Sequence, residues 1–182
     1  MKILTSQLLD ELKRITEQHL QSADTFLQKP DHELNFRVSA DSWSILECLE
    51  HLNRYGNFYI PEISRKISSS KSSPRPVFTP GFLGNYFAES MLPKEKLNKM
   101  KTLRTMNPIH SRLNKEVVNE FAGQQQQLLE LLEKAGHIDL EKTKTRISIS
   151  KWINLKLGDT LRFVIYHNLR HMAQTEQILK NF

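Results

Sequence analysis

Gly158-Asp159-Thr160-Leu161-Arg162-Phe163-Val164-Ile165-Tyr166-His167-Asn168-Leu169-Arg170-His171-Met172-Ala173-Gln174 carries Leu161, Val164, Ile165, Met172 and, further on, Ile178 at helical spacing. That is one apolar face of an amphipathic helix, with Asp159 as the expected N-cap. Three more segments of this kind lie upstream. Over residues 4–28, Leu4, Leu8, Leu12, Ile15 and His19 share a face, and Pro30 closes the run. Ser44-Ile45-Leu46-Glu47 forms a capping box that opens a second helix, expected to reach residue 67 unless Pro61 kinks or ends it. Over residues 112–135, Leu113, Val117, Phe121, Leu128 and Leu132 fall on one side, with Gly136 as the expected left-handed terminator. Only Ile147-Ser148-Ile149-Ser150 alternates like a strand. The expected fold class is all-α, and four long amphipathic segments suggest a four-helix bundle.

The connection between the second and third helices is long. It opens with the Ser/Pro-rich 68–76 stretch, of loop-forming composition, and passes a short helix expected over 82–92 before Asn107-Pro108. A helix of about 25 residues is about 37 Å long, and about 11 extended residues span that distance. The connection can therefore return along the bundle and set the third helix parallel to the second.

The whole chain of 182 residues, 38% hydrophobic and 25% charged, fits one domain over 1–182 with a real core. A single cysteine, Cys48, excludes an internal disulfide and any thiolate-rich zinc site. No apolar stretch nears the roughly 18–20 residues that cross a bilayer, and Asp10 and Glu11 interrupt any signal-peptide core. The expectation is a soluble cytoplasmic protein with no membrane partner.

The net charge of +6 has one address. Residues 94–115 hold seven basic residues and one acidic residue, which leaves 19 of each elsewhere. No aromatic residue lies inside that stretch to stack on a base, so a solvated connector is favoured over nucleic-acid binding.

His167 and His171, four apart, project from one helix face between Val164 and Ile178, which suits two imidazoles converging on one cation. Hydrogen-bonded histidines at the edge of the core are the bland alternative. A third ligand would best come from His51, on the 48, 51, 55 line of the second helix. His19, on the inner stripe of the first helix, is the main rival. His32, His110 and His137 fall in turn-like or basic segments, and Cys48 reads as a small core residue. Glu47 is a weak catalytic candidate already used by the capping box, and Gln174 could orient a ligand or bond across the bundle. Arg170 reads as an exposed helix-face residue, and Trp43 and Trp152 as packing residues near helix starts. The glutamines Gln124–Gln127 read as a solvated face with one or two inward members.

Trp43-Ser44 followed by Glu50-His51-Leu52 resembles the opening of the second helix in the DinB/YfiT-like superfamily. Leu157-Gly158-Asp159-Thr160-Leu161 with His167-Asn168-Leu169-Arg170-His171 resembles its closing helix. Met100-Lys101-Thr102 with Asn107-Pro108 is similar to a stretch of its crossover. The resemblance implies an up-down-down-up four-helix bundle holding one divalent metal, usually zinc or nickel, on His51, His167 and His171. It also implies thiol-S-transferase or hydrolase-like chemistry on a small-molecule substrate, with a low-molecular-weight thiol such as bacillithiol or mycothiol as cosubstrate, and a homodimer. Three neutral imidazoles leave a coordination position open, the catalytic type of site. A non-catalytic, metal-stabilised stress or interaction module would instead need a fourth protein ligand, His19 or Cys48.

Overall fold

The computed structural model describes residues 2–93 and 102–182, and at Lys151 the backbone alone. The element order is β1 (Ile3–Leu4), α1 (Thr5–Leu27), α2 (Asp31–Leu34), α3 (Ile45–Ser68), β2 (Val77–Phe78) and α4 (Phe82–Ser90). A 3-10 turn at Arg104–Met106 follows, then α5 (Glu116–Ala135), β3 (Lys144–Ile147), β4 (Ser150–Lys156) and α6 (Leu157–Lys180). The chain is mostly helical rather than all-α. Two small antiparallel sheets accompany the helices: β1 with β2, and the β3–β4 hairpin.

The four long helices form where apolar periodicity predicts them. α1 packs on α5 and α6, and α3 packs on the same two partners from the other side. Leu12, Ile63, Leu128 and Leu161, one from each helix, meet in one core cluster. Leu46, Leu49, Val118, Phe121 and Met172 belong to a second one, which α3 enters through its N-terminal half. Fully burying one such side chain contributes about 1.5–3 kcal/mol, far above what helix propensity supplies. The capping box is present: the Glu47 N–H donates to Ser44 Oγ at 3.2 Å, and the Ser44 N–H donates to Glu47 Oε2 at 2.8 Å. Pro61 neither ends nor shortens α3, which continues to Ser68. Ile60 and Ile63, buried on either side of it, hold the helix across the missing hydrogen bond.

Three other local expectations are corrected. Gly136 is right-handed, at φ −61°, so α5 ends without a left-handed cap. α6 starts at Leu157, which places Asp159 inside its first turn rather than at its N-cap. The Asp159 carboxylate instead accepts from the Gly81 N–H at 2.8 Å, at the start of α4. Gly84 permits that approach, since a Cβ there would lie 2.4 Å from Asp159 Oδ2. The expected strand over 147–150 is the tip of a longer hairpin. Lys144 pairs with Lys156 and Thr145 with Leu155, and a bulge falls after Arg146. Thr145 and Ile147 face inward while Lys144 and Arg146 face out, a period of two masked by the polar threonine.

The Ser/Pro-rich segment is ordered by tethers. Pro76 O accepts from the Thr5 N–H at 2.9 Å, Arg75 O accepts from Thr5 Oγ1 at 2.7 Å, and the Asp139 N–H donates to Ser72 Oγ at 3.0 Å. It begins about 26 Å along α3 from His51, at about 1.5 Å per residue. Among the described residues, no helix is long and apolar enough to cross a membrane.

Candidate metal centre

His51 lies on the second turn of α3, and His167 and His171 lie one turn apart near the middle of α6. The two helices pack together, which brings the three rings to one place. They are 3%, 7% and 8% exposed. Each pair of rings is edge-to-face or nearly so, with centroids 5.0 Å apart for His51–His167, 4.7 Å for His51–His171 and 4.8 Å for His167–His171. One ligand atom from each lies within 4.8 Å of the others, and this is the group among the described residues that could hold a metal ion.

The hydrogen bonds assign two of the tautomers. His51 Nδ1 donates to the Met106 carbonyl at 2.7 Å, and His171 Nδ1 donates to Gln174 Oε1 at 2.9 Å. Each proton held on Nδ1 leaves a bare lone pair on Nε2, the arrangement that suits a metal-binding imidazole. His51 Nε2 and His167 Nε2 are 3.2 Å apart. Two nitrogens each about 2.0–2.1 Å from a tetrahedral ion stand about 3.4 Å apart, so a shared cation fits this spacing.

Electrostatics favour the same state. Burial lowers the pKa of His51 to about 4 and that of His171 to about 3, and holds His167 well below 6.5. The neighbouring imidazoles and Arg170 push His167 and His171 in the same direction. All three are therefore neutral at pH 7, as ligands must be. Trp43 packs on His51 and His171 with centroids at 4.8 and 5.7 Å, Tyr55 lies against His51 and His167, and Phe163 stacks on His167. These rings exclude water from the flanks of the cluster.

The other sequence candidates are not in this cluster. His19 is buried on α1 beside Phe121, and neither ring nitrogen has a hydrogen-bond partner. The Gln125 amide lies alongside it without hydrogen-bond geometry, and burial lowers the pKa of His19 to about 4. Cys48 is wholly buried in the second core cluster, and burial drives its thiol pKa upward. His110 and His137 are exposed, and His32 sits on the short α2. Glu47 is committed to structure. Burial would raise its pKa, but bonds from Arg37 Nε and Nη2 at 2.8 and 2.7 Å and from the Ser44 N–H hold the carboxyl below its ordinary range. Gln174 orients His171, as its spacing allowed.

Arg170 is buried, not exposed, and burial lowers its pKa. Trp152 is 93% exposed on β4, so it is not a packing residue, whereas Trp43 covers the histidines. Gln124 and Gln125 are the inward members of the glutamine run.

Residues 94–101, the first part of the basic stretch and the whole of Met100-Lys101, lie outside the described residues, which resume at Thr102. Within its described part, Lys115 Nζ donates to the Leu27 carbonyl at the end of α1, at 3.0 Å. Sequence reasoning missed the Met106 carbonyl, which comes from 55 residues away; Pro108, which favours extended backbone at Asn107, was the one local hint.

A family model described as the DinB superfamily matches residues 8–175, a span that reaches all four long helices and includes all three histidines. Neither curated proteins nor solved structures yield a match. The match covers most of the chain and joins the two helices on which the buried histidines converge, so the chain belongs to the DinB superfamily.

Proposed function

We propose that the protein is a divalent-metal-dependent enzyme of the DinB/YfiT-like type, with zinc or nickel held by His51, His167 and His171. The reading is carried by one observation: the three-histidine group gathers no fourth acidic or thiol ligand among the described residues. A structural zinc site is normally closed by four protein ligands, whereas three imidazoles leave a position for substrate. The residues that would have closed it, His19 and Cys48, sit in the core away from the group, which weighs against a purely metal-stabilised interaction module.

When bound, a divalent ion supplies Lewis acidity that turns water or a low-molecular-weight thiol into a nucleophile at neutral pH. The chain's own residues hold and shield that centre. Met106 O and Gln174 Oε1 fix the donor atoms, and Trp43, Tyr55 and Phe163 keep the flanks dry. In the transfer reaction the thiol sulfur bonds to an electrophilic carbon of the small-molecule substrate. The bond to the leaving group breaks with its electron pair, and the thiol proton passes to solvent.

The same reading includes a single 1–182 domain with up-down-down-up helices. Supporting it, Asn53 near the start of α3 donates to Val117 O near the start of α5, as parallel helices would. Gly136, just past α5, approaches Leu9 near the start of α1, as antiparallel ones would. Turnover of low-molecular-weight thiols with electrophilic substrates, by the full chain loaded with zinc or nickel, tests the function. Thiol consumption that His51→Ala abolishes is expected. A metal-loaded protein inert toward thiols and hydrolysable substrates alike would contradict it.

A further inference from the structure

The segment that leads into α5 is bonded to the N-terminal half of α3 at more points than the orientation of one imidazole requires. Three consecutive carbonyls, those of Thr105, Met106 and Asn107, turn toward that helix. Met106 O accepts from His51 Nδ1. One turn along α3 from Glu50, Arg54 Nη1 donates to Thr105 O and Asn107 O, both at 3.2 Å, and its Nε is steadied by Glu50 Oε1 at 2.7 Å. The Asn107 side-chain oxygen accepts from Trp43 Nε1 and from the Ile109 N–H, each at 3.1 Å. His110, at the end of this segment, holds φ at 62°, in the left-handed region that side-chain-bearing residues adopt uncommonly.

We propose that Arg54 and Asn107 are positioning residues of the metal centre: they latch the 104–110 strap onto α3, so that the Met106 carbonyl fixes the His51 tautomer and metal affinity depends on the strap being attached. The inference rests on the metal centre proposed above. The physical chain is short. Without the strap, His51 Nδ1 loses its acceptor, the ring can turn or exchange tautomers, and the Nε2 lone pair is no longer held toward His167. Because binding free energies are reciprocal, the ion must also strengthen strap attachment by the factor with which the strap strengthens the ion. Trp43 links the two optically, since its ring lies on His51 and His171 while its Nε1 is bonded to Asn107.

Cobalt(II) titration of the full chain tests this, in a Trp152→Phe background that leaves Trp43 as the sole indole. Visible absorption and Trp43 emission are the readouts. Asn107→Ala and Arg54→Met are expected to weaken cobalt(II) binding about 10- to 100-fold and to change the absorption band. Arg54→Lys, which still donates to carbonyls, is expected to recover most of the affinity. Metal-free unfolding midpoints near the parent's would separate the effect from loss of fold. A second arm needs no latch variant: hydrogen exchange at residues 103–110 of the parent is expected to slow when cobalt(II) is added. Parental affinity and spectrum in both variants, or strap exchange indifferent to cobalt(II), would overturn the latch alone. A parent that binds no cobalt(II) would overturn the metal centre with it.

Discussion

Four histidines lie on the inner faces of long helices in this protein, and they meet two different fates. His19, on α1, is 2% exposed beside Phe121 and the Gln125 amide, with neither ring nitrogen hydrogen-bonded. His51, His167 and His171 are nearly as buried, yet each ring faces the other two, and in His51 and His171 one nitrogen is committed to an orienting acceptor. Burial depth and helix-face position do not separate the two cases. Convergence, with an acceptor on the far nitrogen, does: it is the arrangement in which desolvated imidazoles could hold a metal ion.

The largest expected effect of that difference is on stability with and without metal. A divalent ion at about 1,000 times its Kd should stabilise the wild type by about 4 kcal/mol in urea unfolding. His19→Leu should keep that gain, and His171→Ala should lose it. An equal gain in both variants would place the ion elsewhere.

Acid comes next: all four buried histidines resist protonation in the metal-free protein, and the share of His19 is read as the difference between His19→Leu and wild type. The folded pKa of His19, about 4, lies below the unfolded value near 6.5, so its stabilising contribution is complete above pH 6.5 and is lost as pH falls from 6.5 toward 4. The loss on full protonation of the unfolded state is on the order of 3 kcal/mol. In metal-free protein, His19→Leu should therefore lose less stability than wild type between pH 7 and pH 4. Parallel pH profiles would show that His19 is not buried in its neutral form.

Gln174→Ala should act on the convergent group alone. Releasing His171 Nδ1 should weaken metal binding by about 10- to 100-fold. Calorimetric titration measures it, and undiminished affinity would remove Gln174 from the site. The smallest effect is expected at the capping box: Ser44→Ala should cost about 1 kcal/mol of stability with metal stoichiometry unchanged. A metal-deficient Ser44→Ala protein would mean that Glu47 serves the centre and not only the helix.

What could be read from the chain alone follows range in sequence. The long helices, the Ser44–Glu47 cap and the pairing of His167 with His171 are local patterns, and each is found in place. The choice between His51 and His19 was not local. It depended on which helix packs beside α6 at the height of those rings, and both α1 and α3 touch α6. Asp159 looked like an N-cap because aspartate is favoured there and the apolar periodicity begins just after it, yet its partner, Gly81, is 78 residues away. The hairpin escaped because Thr145, wholly buried, bonds its hydroxyl to Thr160 at 2.6 Å and so hides a core position behind a polar residue. Arg170 and Trp152 exchanged their expected places for the same reason: neither burial nor exposure of a single large side chain is written in its neighbours.

The most direct test is metal analysis of protein purified without a histidine tag, for the wild type and for His167→Ala and His171→Ala. One divalent ion per wild-type chain, and none in either variant, is the predicted result. A wild type that takes up no ion, or variants that keep theirs in full, would contradict the metal centre.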